Sequence, residues 1–310
     1  MVLKCPACET PLDSVPRLRG TDRLHGLPGR FEVVVCAACG TGRTLPFVAA
    51  EDLGALYPGS YNAYTLPRAP LARAAATGLF RWRYWRALRR LPLRALAERP
   101  PGRLLDVGSG RGDLGLILRR RGWEFAGLEP SPDACAQARS RGIPTICGTL
   151  ERPEAQLEGG YDAAVFQHSL EHVADPAHDL ARARALLKPG GLLIVSLPNF
   201  ASTQARRFGA DWFHLDLPRH RTHFTPRGLD LLLRGSGFDV EALSTSSSAD
   251  GLPMSLRYRR RGDRPPRSGT GRRYLEIAVV LAASPLGAAV DRAAGAGDLV
   301  HAVGRRPGSE

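Results

Sequence analysis

The chain has 310 residues, 43% of them hydrophobic, which suffices for one large domain or for one domain and a small module. Its formal net charge is +13, and Lys4 and Lys188 are the only lysines, so the positive charge is almost entirely arginine. Such an excess favours anionic partners such as phosphates, nucleic acid or anionic lipid. No run of 18 apolar residues occurs, and the first residues combine charge with cysteines, so we expect neither a membrane span nor a signal peptide, and a cytoplasmic location.

Two C-x-x-C pairs lie near the N-terminus, Cys5 with Cys8 and Cys36 with Cys39, with 27 residues between the pairs. Four thiolates on two tight turns can occupy all four corners of a zinc tetrahedron, which leaves no open position for catalysis. Disulfides fit a reducing compartment less well. We therefore predict a structural zinc ribbon in residues 1–48. Two further cysteines, Cys135 and Cys147, are isolated in the sequence, and we expect them to be small buried residues.

Residues 49–100 are expected to connect the ribbon to a larger domain. Tyr61 and Tyr64 belong to a tyrosine-rich stretch that either packs the ribbon onto that domain or covers a ligand cleft. Residues 71–99 combine many arginines with aromatic side chains, which is typical of a helix on an anionic surface, although a packed helix with a solvated arginine face is favoured. Pro100-Pro101-Gly102 then marks the start of the domain 101–310.

The segment 103–133 predicts a strand, a glycine turn, a helix and a second strand. Glycines let a ligand approach the backbone closely, and an acid at the end of the second strand can hold two ribose hydroxyls. The residues of this pattern are Asp106, Gly108, Gly110, Gly112 and Glu129. Residues 110–115 also match the dinucleotide fingerprint, so the glycines alone leave the nucleotide open.

The spacing Asp106-x-Gly108-x-Gly110-x-Gly112 resembles the first motif of class I S-adenosylmethionine-dependent methyltransferases. Later stretches agree in order: residues 170–176 resemble the LEH…DP stretch after the fourth strand, and LKPGG at 187–191 resembles the segment before the fifth. The resemblance implies an α/β fold, a Rossmann-like sheet of seven strands with an N-terminal zinc ribbon. It also implies an antiparallel last strand, which places an insertion at 244–296.

The resemblance further implies S-adenosylmethionine as the cofactor. Its methionine end would pass over the glycine turn, its ribose would bind the acid after the second strand, and its adenine would lie along the loop after the third strand. The cofactor-binding residues implied in this way are Asp106, Gly108, Ser109, Gly110, Gly112, Glu129, Pro130, Thr149, Leu150, Glu151 and Gln167.

Six of the eight histidines lie between His168 and His223, and residues 208–224 form a polar, aromatic loop after the fifth strand. Ligands of α/β folds bind at the carboxyl ends of the strands, and histidine titrates near neutral pH. We predict that His172 acts as the base or orients the acceptor, and that Glu171 fixes the backbone or the imidazole. Alternatively, both residues hold the loop, and His220 or His223 supplies the base.

The candidate acceptor-binding residues are Tyr61, Tyr64, His168, Trp212, His214 and Arg219. Some quinone methyltransferases similar in this region bind a metal through acids and a histidine around the Glu-His pair. Here His168 stands where such a site has an acid, three positions before Glu171, which argues against that metal site.

Residues 244–273 are polar and are expected to be irregular, with 256–273 mobile. Residues 274–290 are apolar but too short to span a bilayer. This part of the chain could touch an anionic membrane or a lipid-linked substrate, form a dimer face, or cover the acceptor pocket.

The expected function is methyl transfer to a small-molecule acceptor, such as a sugar or another secondary or cell-envelope metabolite. The alternative is a nucleic-acid methyltransferase whose ribbon and arginines hold phosphates, although the N-P-P-[YF] type of motif is missing after the fourth strand. A non-catalytic binding module is a third option, against which Glu129 and the intact glycines argue.

Overall fold

The computed structural model describes residues 3–13, 15–48, 56, 92–152, 157–262, 289 and 296–308. Tyr61, Tyr64, residues 71–91 of the arginine-rich segment, and residues 263–288 lie outside these ranges, so the expectations for them stay predictions. Within the described ranges, no helix is both long enough and apolar enough to cross a membrane.

The strands and helices of the described ranges follow in chain order. The strands are β1 (Pro16–Gly20), β2 (Phe31–Val35), β3 (Gly42–Leu45), β4 (Arg103–Val107), β5 (Glu124–Glu129), β6 (Thr145–Cys147), β7 (Tyr161–Gln167), β8 (Leu187–Pro198), β9 (Thr222–His223), β10 (Asp239–Ser246) and β11 (Leu299–Arg305). The helices are α1 (Arg94–Ala97), α2 (Asp113–Leu118), α3 (Pro132–Ser140), α4 (Pro176–Leu186), α5 (Thr203–Phe208), α6 (Pro226–Gly235) and α7 (Gly251–Arg261).

A seven-stranded sheet in the order β10-β11-β8-β7-β4-β5-β6 forms the centre of the larger domain. The strands from β8 to β6 are parallel, and β11 pairs antiparallel with both β8 and β10. The central strands β4, β7 and β8 are apolar runs with buried side chains, as expected for parallel strands covered on both faces. This confirms the predicted α/β, Rossmann-like sheet of seven strands. The carboxyl ends of the parallel strands meet at one edge of that sheet.

The N-termini of α3, α4, α5 and α6 are capped by side chains in the way their sequences favour. Asp175 accepts hydrogen bonds from the amides of Ala177 and His178, both at 3.1 Å, and Pro176 occupies the first turn of α4. Thr225 caps α6 in the same way, again with a proline next in sequence. The caps fix where the loops at the carboxyl edge of the sheet end.

A second, four-stranded antiparallel sheet has the order β1-β2-β3-β9. Strands β1 to β3 belong to the predicted ribbon, whereas β9 comes from the larger domain, with Gly42 opposite His223 and Arg43 opposite Thr222. The sheet of the ribbon is thus completed by residues from beyond the predicted boundary at residue 48. The ribbon and the larger domain share backbone hydrogen bonds.

The expectation that residues 244–261 are irregular is wrong. Strand β10 extends to Ser246, and α7 follows from Gly251 to Arg261. The helix forms because one of its faces is buried: the hydroxyl of Ser255 accepts a hydrogen bond from the amide of Phe213 at 2.9 Å, and the ring of Tyr258 packs 5.9 Å from that of Phe213. Because the segment is polar in composition, its sequence did not reveal this buried face.

Cys135 is buried, as expected, whereas Cys147 is half-buried. The structure also joins the two cysteines in a disulfide that was not expected, with their Cα atoms 6.0 Å apart. Cys135 lies in the first turn of α3, and Cys147 ends β6, which pairs with the end of β5 at Glu129. The two cysteines meet because α3 packs against β6.

Candidate active site

The glycine turn after β4 is held against the end of β5. The amides of Gly108 and Ser109 both donate to the carbonyl of Leu128, at 2.8 and 3.1 Å. The carboxylate of Glu129 is buried and accepts from the amide of Gly110 at 2.8 Å and from that of Ser131 at 2.9 Å. Turn and acid therefore form one rigid unit, as their predicted role in cofactor binding requires.

This unit has the features that the predicted cofactor needs. Gly110 has a φ of +53°, and an added Cβ would meet no atom of the described chain within 4 Å, so one side of the turn is open. In contrast, a Cβ on Gly108 would lie 2.4 Å from the Cβ of Ser169. Ser109 Oγ and Gln167 Oε1 are buried and have no hydrogen-bond partner among the described residues. A polar ligand along the open side would satisfy such atoms.

Asp106, at the end of β4, is only 3% exposed. Burial and the nearby charge of Glu129 raise the pKa of the Asp106 carboxyl to about 7. The two acids therefore differ in their surroundings. Glu129 accepts hydrogen bonds from two backbone amides, whereas burial keeps Asp106 partly protonated at neutral pH.

The loop assigned to the adenine has mixed surroundings. Thr149 and Glu151 are exposed, as is Pro130 beside Glu129. The hydroxyl of Thr149 accepts a hydrogen bond from the amide of Arg152 at 3.1 Å. The side chain of Leu150 is buried in the hydrophobic core, so it anchors the loop. Cofactor contact at these positions stays a prediction.

Glu171, in the turn after β7, carries the most unusual carboxylate of the site. It is 1% exposed, and neither of its carboxylate oxygens has a hydrogen-bond partner within the described ranges. His168 Nδ1 lies 3.7 Å from Oε1, and His220 Nε2 lies 3.9 Å from the same oxygen. Side-chain ligand atoms of Glu171, His172 and His220 all lie within 4.8 Å of one another. This spacing is close enough for the three groups to bind a metal ion or to share a proton.

The hydrogen bonds of two histidines define which ring nitrogen carries the proton. His172 Nδ1 lies 3.1 Å from the carbonyl of Arg219, and His220 Nδ1 lies 2.8 Å from that of His214. Because a carbonyl only accepts, each Nδ1 must be protonated, and each Nε2 keeps its lone pair in the neutral ring. The two rings meet edge to face with centroids 4.6 Å apart. His172 is the more exposed of the two.

Burial, together with the neighbouring His172 and His223, lowers the pKa of His220 well below its usual range. Burial alone lowers the pKa of His223 to about 3. Both rings are therefore neutral at physiological pH. Burial opposes the charging of His214 as well, but the hydrogen bond and charge of Asp298, 3.2 Å away, prevail and raise the pKa of His214.

Two residues assigned to the acceptor are instead embedded in the protein. Trp212 is 1% exposed and packs in a core cluster near the ring of Phe200, with centroids 6.2 Å apart. Arg219 is fully buried, and its five N–H groups are directed at Asp22, Asp216 and the carbonyl of Leu56. Acceptor contact at these two positions stays a prediction. Of the remaining candidates, His168 is exposed beside Glu171, and His214 is held by Asp298.

Four residues of this region were missed in the sequence. Ser169 touches the glycine turn, and Asp22, Thr44 and Asp216 hold the polar, aromatic loop of residues 208–224, called here the histidine-rich loop. Asp22 and Thr44 lie in the ribbon, more than 170 residues before their partners. No local pattern marks such pairs. For Ser169 the neighbouring Glu-His pair was a usable signal.

The raised pKa of Asp106 gives a test in unfolding experiments. Between the usual pKa of 3.8 and the folded value of about 7, the unfolded chain releases the proton while the folded protein keeps it. The free energy of unfolding should then fall as the pH rises, by roughly 1.4 kcal/mol per unit. Asp106→Asn should remove this contribution to the decline and stabilise the protein at pH 8, as measured by urea titrations from pH 4 to pH 8. Asp239→Asn, at an exposed position, is the control. Parallel curves for wild type and Asp106→Asn would contradict the raised pKa of Asp106.

Comparison with known proteins adds independent information. The family model described as "Methyltransferase domain" matches residues 79–243, just over half of the chain. The ubiquinone biosynthesis O-methyltransferase of Xanthomonas axonopodis pv. citri is 30% identical over 162 residues, which cover 48% of this chain and 68% of that protein. The enzyme of the same name from Cereibacter sphaeroides is 37% identical over 150 residues, covering 44% and 60% respectively. The chain thus spans about two thirds or less of the length of these curated relatives.

A solved structure, the S-adenosylmethionine-dependent methyltransferase of Mesorhizobium loti, aligns with a TM-score of 0.46 at 21% identity and covers 72% of this chain and 97% of that one. The range matched by the family model, residues 79–243, includes the glycine turn and Glu129. The chain therefore belongs to the methyltransferase domain family, and it is an S-adenosylmethionine-dependent methyltransferase.

Proposed function

We propose that this methyltransferase acts on a hydroxyl group of a small-molecule acceptor, with Glu171 and His172 as its proton-accepting pair. The observation that carries the proposal is the Glu171 carboxylate, which is buried without a hydrogen bond from the described residues and lies beside His168 and His220. A buried carboxylate without a donor is costly to maintain. A group that charges or binds beside it during the reaction would recover that cost.

The geometry suits proton removal by His172. Its Nδ1 donates to the carbonyl of Arg219, so Nε2 is the atom that accepts a proton. When that proton arrives, the ring becomes positive within a cluster that contains the Glu171 carboxylate, and the pair stabilises the charge. His220 stays neutral through its lowered pKa and adds no opposing charge.

A hydroxyl acceptor explains why the site would hold such a pair. An alcohol or phenol attacks more readily as its proton is removed, whereas a neutral amine already has a nucleophilic lone pair. The sequence relatives are named as O-methyltransferases, which supports the same choice of atom. Since a fold hosts many substrates, we limit the acceptor to hydroxyl-bearing metabolites, including sugars and phenols.

The cofactor would be held by the unit around the glycine turn. Glu129 would accept the ribose hydroxyls with its carboxylate oxygens, beside the amides of Gly110 and Ser131. Ser109 Oγ and Gln167 Oε1 would bind polar groups of the cofactor. S-adenosylmethionine supplies an electrophilic methyl group on a sulfonium centre, and the protein mainly positions the acceptor for in-line attack. Close contact between Gly108 and Ser169 sets the cofactor turn against the Glu171 turn.

We also propose that the four cysteines of the ribbon hold a structural zinc ion. Their ligand atoms lie within 4.8 Å of one another, and the sulfur of Cys39 is 3.5 Å from that of Cys5 and that of Cys8. In a tetrahedral site with Zn–S distances of about 2.3 Å, sulfurs lie about 3.8 Å apart, close to the observed spacing. Four thiolates leave no position for a substrate, so this metal would be structural.

Replacing Glu129 tests the cofactor assignment. Glu129→Ala should weaken binding of S-adenosylhomocysteine by about 1.5–3 kcal/mol, because hydrogen bonds to a charged carboxylate are lost. Isothermal titration calorimetry measures the change. Asp133→Ala, an exposed acid in the first turn of α3, should bind as wild type does. Binding of NAD by the wild-type protein in place of S-adenosylhomocysteine would refute the assignment.

Replacing His172 tests the chemistry. Release of S-adenosylhomocysteine is first measured with a panel of phenols, sugars and, as the rival class, RNA. With the active acceptor, His172→Ala should lower kcat by roughly 10²–10⁴-fold, with cofactor affinity nearly unchanged. His178→Ala, a half-exposed histidine on α4, is the matched control. Turnover of His172→Ala within a few-fold of wild type would exclude His172 as the base. Methylation of RNA alone, with a steep salt dependence, would refute the small-molecule acceptor.

Metal analysis tests the ribbon. Protein purified without chelator should contain one zinc per chain, and Cys36→Ser should lose most of it, because one corner of the tetrahedron is removed. Cys147→Ser lies outside the cluster and should retain the metal. Wild-type protein without zinc would contradict the proposal.

A further inference from the structure

A short segment of the histidine-rich loop, residues 219–223, is held by the ribbon through its backbone. Thr44, in β3, donates its amide to the carbonyl of Arg221 at 3.0 Å and its hydroxyl to the carbonyl of His220 at 2.7 Å. A hydroxyl has one proton, so the same Thr44 oxygen must accept from His223 Nε2, 2.9 Å away. One threonine thus fixes two carbonyls of the segment and the tautomer of a buried histidine.

The charged side chain of the segment is held by the ribbon as well. Arg219 is fully buried, and its guanidinium donates to Asp22 at 2.6 and 3.0 Å and to Asp216 at 2.6 to 3.1 Å. Asp22 is in turn held by the amides of Leu24 and His25. Burial opposes the charge of Arg219, but the two carboxylates prevail and raise its pKa.

The same segment holds the turn that carries the proposed base. The amides of Arg221 and Thr222 both donate to the carbonyl of Glu171, at 2.8 and 3.1 Å. The carbonyl of Arg219 accepts from His172 Nδ1 at 3.1 Å. Each of these contacts uses a backbone atom of residues 219–222; Thr44 restrains the neighbouring carbonyls of His220 and Arg221, and Asp22 restrains the side chain of Arg219. The position of the Glu171 turn is therefore linked to the ribbon through one continuous set of hydrogen bonds.

We propose that the ribbon is a positioning element of the acceptor site: Thr44 and Asp22 set the segment 219–223, and the segment orients Glu171 and His172. This inference rests on the proposed role of His172 in proton removal. It assigns Thr44 a function in turnover without contact to cofactor or acceptor. It also gives the ribbon a role beyond stabilising its own fold.

The test compares Thr44→Val, which keeps the shape but removes the hydroxyl, with Thr44→Ser, which keeps the hydroxyl. Hydrogen–deuterium exchange of the amides of Arg221 and Thr222 reports the positioning and needs no acceptor. Thr44→Val removes both hydrogen bonds of the hydroxyl, to the carbonyl of His220 and to His223 Nε2, and should therefore speed this exchange about tenfold or more. It should lower kcat by a similar factor. Cofactor affinity and zinc content should be unchanged. Thr44→Ser should stay within about threefold of wild type in exchange and in kcat. Arg19→Gln, in an exposed ion pair of the ribbon, is the control.

Wild-type exchange and turnover in Thr44→Val would overturn the proposal, and so would equal losses in the valine and serine variants. Faster exchange with unchanged kcat would show that Thr44 restrains the segment 219–223, but it would refute the role of this restraint in turnover. Should the valine variant not fold, exchange in the wild-type protein decides: the amides of Thr44, Arg221 and Thr222 should open together, with protection within about threefold. Rapid exchange at the amides of Arg221 and Thr222, with the amide of Thr44 still protected, would refute the link. If His172→Ala retains turnover, the proposed base fails, but the exchange results stand.

Discussion

The proposed acceptor side of this protein depends on the guanidinium of Arg219, which lies between Asp22 of the ribbon and Asp216 of the histidine-rich loop without exposure to solvent. Removing one partner of such a buried pair typically costs about 3–5 kcal/mol, because the remaining charge is left without compensation. All five N–H groups of Arg219 have acceptors, so the geometry is specific as well as charged. The loop can adopt this path only where the ribbon presents Asp22. Ribbon, loop and Glu171 turn are consequently arranged together.

The cofactor side follows from a different constraint, the convergence of parallel strands at one edge of a sheet. Strand β4 ends at the glycine turn, β5 ends at Glu129, and β7 ends at Gln167. The adjacent turns touch where Gly108 meets Ser169, and no larger residue fits there. The unit that would hold the cofactor and the turn that carries Glu171 are therefore neighbours by construction of the fold. Their closeness explains how an electrophilic methyl group and a base could act on one acceptor.

Sequence patterns predicted the parts of the structure that are local. The apolar strands, the alternating glycines and the acid at Glu129 are contiguous in the chain, so periodicity and spacing revealed them. Helix α7 was missed because its buried face, with Ser255 and Tyr258, is set in an arginine-rich stretch. Cys135 and Cys147 were judged isolated because nothing in their spacing shows that α3 packs on β6.

The acceptor side was predicted less well, since its residues were judged by chemical type. Arginine and tryptophan in a loop at the edge of a sheet suggested acceptor contacts, but Arg219 and Trp212 are buried. Their partners lie in the ribbon or in other core elements, and single-sequence patterns carry no information about contacts of that range. Thr44 was missed for the same reason: its role exists only because β9 adds a strand to the ribbon.

The central claim is that the glycine turn and the Glu171 turn form one reaction site. A crystal structure of the protein with S-adenosylhomocysteine tests it most directly. The account predicts that the ribose hydroxyls bind Glu129 and that the homocysteine sulfur lies at the end of β7, next to the turn with Glu171 and His172. A ligand bound at the glycine turn with its sulfur directed away from that turn would contradict the account.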